Sequence, residues 1–163
     1  MNKAAVLGLA LLGGCAPYVP PSPPTPRMGT EVETSFTHSW DAVIDVFSEL
    51  NIGIKTMDRA SGLIVAEQNS VPSELVKPDV KVWADCGRFP PDPIMGEIRI
   101  YPNFVTYNVL VRGDSSRSTV KATARWEKRA TGQYEVERPC VSLGAWEQGV
   151  EQQIKERALG KRR

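Results

Sequence analysis

One histidine, three cysteines and no long apolar run are found among the 163 residues, and each shortage removes a class of function. His38, in the stretch Phe36-Thr37-His38-Ser39-Trp40, has no second imidazole to share a metal ion, and the cysteines lie at no zinc spacing from it. No metal site is expected. A serine triad would have to recruit His38, yet no G-x-S-x-G turn is present, so His38 reads as a surface or capping residue. Phosphate loops, dinucleotide fingerprints and calcium-loop spacings are also missing, and no cofactor is expected. The pairs Glu31 and Glu33, and Glu135 and Glu137, fall at strand spacing and read as solvated strand faces rather than as the two carboxylates of a glycosidase. The 20 basic and 19 acidic residues nearly cancel, which leaves no basic footprint for nucleic acid. The closing Lys161-Arg162-Arg163 reads as a frayed, solvated tail.

The apolar run that does exist lies at the N-terminus. Lys3 supplies a short basic region, and Ala4 to Gly14 supplies eleven apolar or small residues, against the roughly 20 that a membrane-spanning helix needs. An export signal is expected over residues 1–14. The quartet Leu12-Gly13-Gly14-Cys15 resembles the lipobox of bacterial lipoproteins, with Gly13 where that motif more usually carries Ala or Ser. The resemblance implies cleavage before Cys15, acylation of its thiol, and attachment of the chain to a membrane. Ala16 follows the cysteine where inner-membrane retention would call for Asp, which implies an outer-membrane address facing the periplasm. The alternative is a secretory signal cut near Ala16, with Cys15 discarded.

Residues 15–30 read as a lipid-anchored linker. Pro17, Pro20, Pro21, Pro23, Pro24 and Pro26 favour polyproline II, which rises about 3.1 Å per residue and would let residues 16–29 hold a domain up to roughly 40 Å from the bilayer. Export also bears on the two remaining cysteines. Cys86 and Cys140 are expected to pair, because disulfides persist outside the cytosol. A loop of about 55 residues would be closed, for about 4 kcal/mol by chain-entropy reasoning. A reactive thiol is the rival reading.

Residues 31–163 read as one α+β domain: a mainly antiparallel sheet of five or six strands, with two helices packed on one face. Trp40, Val43, Ile44, Phe47 and Leu50 form a helical stripe, with Ser39 as cap and Asp41 in the first turn. Two β-prone runs around Arg59 to Gly62 read as a hairpin, and "DVKVWADC" as a strand ending in the first paired cysteine. "GRFPPDPIMG" reads as the longest irregular loop, since its prolines cannot supply ladder donors. Period-two segments follow from Glu97 to Lys128 and predict an antiparallel meander, with Lys121, Thr123, Arg125 and Glu127 on a wet face. Leu143, Trp146, Val150, Ile154 and Ala158 predict a closing helix that starts at Cys140 and is capped by Ser142. In element order alone, this resembles the helix-grip domains of outer-membrane assembly lipoproteins.

Arg88, Phe89 and Met95, in the Pro-stiffened loop beside the expected bridge, are the candidate recognition residues. Trp83 and the group Tyr101, Phe104 and Tyr107 read as core or sheet-edge packing before they read as a ligand surface. The expectation is a non-catalytic envelope lipoprotein that binds another envelope protein. The rival is a domain holding a lipid or other small apolar ligand in a groove between sheet and long helix. A third reading is an enzyme using His38.

Overall fold

In the computed structural model, residues 18–71, 83–92, 94, 96–129 and 137–160 are described. The expectations for Cys15, Met95, Glu135 and the Val80 and Val82 positions lie outside them. The elements run β1 (Thr30–Val32), α1 (Phe36–Glu49), β2 (Ile54–Asp58), β3 (Leu63–Ser70), β4 (Ala84–Asp85), β5 (Arg88–Asp92), β6 (Gly96–Arg99), β7 (Phe104–Gly113), β8 (Ser118–Arg129), β9 (Glu137–Ser142) and α2 (Ala145–Ala158). The fold is α+β, with two helices against a mostly antiparallel sheet. That sheet has seven strands rather than five or six, in the order β2-β3-β7-β8-β9-β4, with β1 pairing β8 off the path. β5 and β6 form a separate two-stranded ribbon.

The helix starts one turn earlier than its stripe predicts. Ser35 is the N-cap, its Oγ accepting from the His38 backbone N–H at 3.3 Å. Ser39 therefore lies inside α1 rather than capping it, fully buried and bonded through its Oγ to Ser118 Oγ at 2.7 Å. Phe36 stacks on Trp40, with ring centroids 5.8 Å apart, and this contact helps to hold the extra turn. Asp41 consequently falls outside the first turn. Trp40, Val43, Val46 and Phe47 are buried, and full burial of one such side chain is worth about 1.5–3 kcal/mol.

The hairpin expected around Arg59 joins β2 to β3. Asp58 Oδ1 accepts from the backbone N–H groups of Ala60 and Ser61, and its pKa is lowered first by hydrogen bonding from the Ser61 side chain and then by these backbone donors. Gly62 adopts φ +68°, and a Cβ there would stand 2.0 Å from the Val111 carbonyl oxygen, so only glycine lets the turn press against β7. The meander β7-β8 pairs residue by residue from Phe104 opposite Glu127 to Gly113 opposite Ser118. Its inward positions Val105, Val109, Val111, Val120, Ala122 and Trp126 join Ile64, Phe47, Val150 and Ile154 in one core. On the other face Lys121, Thr123 and Arg125 are exposed, as alternation requires. Glu127 departs from that pattern. It is 3% exposed, because Arg125, Arg129 and Gln68 all close on its carboxylate.

Two further corrections concern β-structure, and a third expectation is covered only in part by the described residues. The described residues of "GRFPPDPIMG" belong to the β5–β6 ribbon, and Pro90 and Pro91 sit where the register shifts between Phe89 and Asp92, so the ladder does not need their missing donors. The strand ending at Cys86 is described only over Ala84–Asp85. Cys140 opens no helix: it lies in β9, opposite Trp126, and α2 begins after Gly144, which replaces Ser142 as the N-cap.

β8 is shared in an unusual way. β7 occupies one of its edges, so β1 at Ser118–Val120 and β9 at Trp126–Arg129 must both pair with the other. Between them, the N–H groups of Ala122 and Ala124 have no strand partner among the described residues. Carboxylates from α2 take that place: Glu151 Oε1 accepts from Ala122 N at 2.9 Å, and Glu147 Oε1 from Ala124 N at 3.2 Å. No helix among the described residues is long and apolar enough to cross a membrane.

Candidate functional site

The sheet edge carrying β9 and β4 gathers most of what the sequence singled out. Cys86, just after β4, is disulfide-bonded to Cys140 in β9 with Cα atoms 4.1 Å apart, and Cys86 is fully buried. The bridge locks the base of the β5–β6 ribbon to the sheet. Onto this base folds the N-terminal segment. Tyr18 Oη donates to the Cys86 carbonyl at 2.8 Å, and Val19 exchanges two backbone hydrogen bonds with Arg88, at 2.9 and 3.0 Å. Gly87 makes the approach feasible: at φ +82°, a Cβ on it would lie 2.5 Å from both the Tyr18 hydroxyl and the Val19 carbonyl oxygen. Phe89 meets the Tyr18 ring edge-on at 6.0 Å, and the Arg138 guanidinium lies 4.4 Å from that ring's centroid.

The Pro-rich stretch is accordingly no free stalk from Tyr18 onward. At its far end Arg27 pairs with Glu151 at 3.1 Å, and Thr30 Oγ1 donates to the same carboxylate at 2.8 Å. Polyproline geometry is a local preference, and these contacts with the body outweigh the freedom it would leave. A shallow cavity of about 250 Å³ opens beside the docked segment, lined by Val19, Pro20, Asp85, Arg88, Tyr101 and Leu143 among others. Two of its lining side chains are exposed and apolar, Val19 (40% exposed) and Leu143 (52%); in the ribbon, Phe89 is 36% exposed and Ile94, at the tip, 94%.

A second cavity, about 390 Å³, lies beneath the same segment and is lined by Thr25, Arg27, Lys121, Arg125, Cys140 and Glu147 among others. Glu147 is 4% exposed. Its Oε1 also accepts from Ser142 Oγ, whereas Oε2 is buried without a partner among the described residues. Tyr107, stacked on Trp146 at 3.9 Å, has its pKa pushed up to about 12, chiefly by burial and secondly by the Glu147 charge.

Of the candidate recognition residues, Arg88 and Phe89 sit in β5 within this site. His38 is exposed: its Nδ1 lies 3.1 Å from Thr34 Oγ1, and its backbone serves the α1 cap. Trp83 is half-buried against Trp126, with centroids 6.0 Å apart. Between the sheet and the long helix, Tyr107 packs on both Trp126 and Trp146. Sequence reasoning missed Tyr18, Ile94, Glu147 and Glu151. The two glutamates carried a signal, since 147, 151 and 154 share the helical spacing of the apolar stripe. No protein-family model matches the chain, and no curated protein is significantly similar to it.

Proposed function

We propose that the chain is a lipoprotein of the bacterial envelope, attached through acylated Cys15 to the outer membrane, facing the periplasm, and acting without catalysis as an accessory module that holds another envelope protein. The lipobox-like quartet supports the anchor, and the Cys86–Cys140 disulfide fits an oxidising compartment. The observation that carries the binding role is the free β2 edge of the sheet. There Met57 of β2 and Leu63 of the adjoining β3 are 54 and 36% exposed, and β2 pairs only with β3 among the described residues. An open strand edge with apolar side chains suits a protein surface rather than a small molecule. The buried carboxylates, in contrast, are engaged in holding β8: Glu127 by arginines, Glu147 and Glu151 by backbone N–H groups.

The test is crosslinking in cells from a photoreactive residue at position 57, with a Cys15→Ser strain as control. A single envelope protein captured in near-stoichiometric amounts, and lost in the control, is expected. Equal capture in the control would remove the role of the anchor, and no capture would remove the binding role.

A further inference from the structure

We infer that the β5–β6 end of the domain seats directly on the lipid bilayer, with Ile94, Phe89, Val19 and Leu143 entering the interface, so that the β2 edge is held away from the membrane. This rests on the proposed acylation of Cys15. Two observations carry it. The first is chain length. Tyr18 is fixed to the body by its bond to Cys86 and by the pairing of Val19 with Arg88. Three Cα–Cα steps separate Tyr18 from Cys15, and they span at most about 11 Å. An acylated cysteine lies at the boundary between headgroups and hydrocarbon, and each headgroup layer is about 5–7 Å thick. Tyr18 is thus held in that layer or just above it, where the roughly 40 Å of an undocked linker would have left the domain free.

The second observation is what surrounds Tyr18. Phe89 touches its ring, Val19 follows it in sequence, Val19 and Leu143 line one cavity, and Ile94 projects from the ribbon that Phe89 belongs to. Ile94 at 94% exposure is a large aliphatic side chain in water, at the tip of a ribbon that is not part of the main sheet. Arg138, over the Tyr18 ring, places positive charge beside it, where phosphate headgroups would lie. Exposed apolar side chains with a cation beside them suit a surface that rests in a bilayer interface. The sheet order then sets the orientation: β2 stands five strand spacings from β4, about 24 Å.

The test uses the full chain, processed in cells and reconstituted into vesicles of phosphatidylethanolamine and phosphatidylglycerol. With Cys15 acylated and Cys86 bonded to Cys140, an Ile94→Cys variant has a single free thiol for an environment-sensitive fluorophore; Leu143→Cys is the second probe and Met57→Cys the control. Both side chains at the seat are exposed, so neither change disturbs packing. The expected result is a several-fold rise and blue shift of emission at positions 94 and 143 in vesicles, quenched by lipid-borne quenchers, with position 57 unchanged. Water-like emission at 94 and 143, with mass spectrometry showing acylated Cys15, would overturn the seat and leave the lipoprotein reading intact. Unmodified Cys15 would overturn both. Emission that shifts in native membranes but not in pure lipid would identify a protein as the occupant and overturn the lipid assignment.

Discussion

Glu151→Ala is predicted to be among the most destabilising substitutions of a charged residue in this fold. The carboxylate is 1% exposed and receives three hydrogen bonds: from Ala122 N at 2.9 Å, Thr30 Oγ1 at 2.8 Å and Arg27 Nη2 at 3.1 Å. Truncation strands the buried Ala122 N–H between β1 and β9, at about 1–3 kcal/mol. Thr30 is half-buried and can turn to water, so its loss adds little. The Arg27 side chain is 22% exposed, and losing its partner adds about 1 kcal/mol, well below the cost for a fully buried pair. The sum is about 3 kcal/mol. Glu151→Gln keeps an oxygen for Ala122 N while removing the charge, so about 1 kcal/mol is expected. Urea unfolding followed by tryptophan fluorescence separates the two. With a slope of about 2 kcal/mol/M, the midpoint should fall by about 1.5 M for alanine and about 0.5 M for glutamine. Equal shifts for both variants, or a shift near zero for alanine, would refute the idea that the carboxylate stands in for a strand.

Replacing Cys86 and Cys140 together with alanine should cost about 4 kcal/mol, given the sequence separation of 54 residues, and the loss should match that caused by reductant in the parent protein. Ser39→Ala should cost about 1–3 kcal/mol by leaving the buried Ser118 hydroxyl without its partner, and Ser39→Ala with Ser118→Ala should cost less than the sum of the single changes in a double-mutant cycle. Tyr107 gives a pH signature. Its folded pKa, raised to about 12, exceeds the unfolded value near 10, so the folded state holds the proton longer. Stability is then fully present below pH 10 and falls as pH rises towards 12, by about 2–3 kcal/mol; unfolding midpoints measured across that window should drop in the parent and stay flatter in Tyr107→Phe.

Much of the fold was legible because it is written in periodicity. The α1 stripe, the β2–β3 hairpin and the β7–β8 meander are each long enough for period 3.6 or 2 to stand out. β1 was not legible, since three residues carry no period. β9 was hidden for a different reason: Leu143, Trp146 and Val150 fall on one helical stripe, and that stripe extended the helix back over residues of β9, whose backbone pairs with β8. The ribbon was hidden by its prolines, whose cost disappears where the register slips. The site was half legible. Phe89 and Arg88 announced themselves beside the cysteine, whereas Tyr18 lay in a stretch whose composition speaks only of local stiffness. What fixes it is a carbonyl 68 residues away, and no local pattern encodes that.

That distance has a further consequence for how the molecule comes together. Every contact described for the segment from Tyr18 to Thr30 is long-range: Tyr18 with Cys86, Val19 with Arg88, Thr30 with Val120 and Glu151, and Arg27 with Glu151, the last 124 residues apart. Closing loops of that length is entropically costly before any contact repays it, so the hairpins and helices must form first. The segment therefore docks late and, by the same accounting, should open first, as a separate cooperative unit whose amides exchange faster than those of β7 and β8.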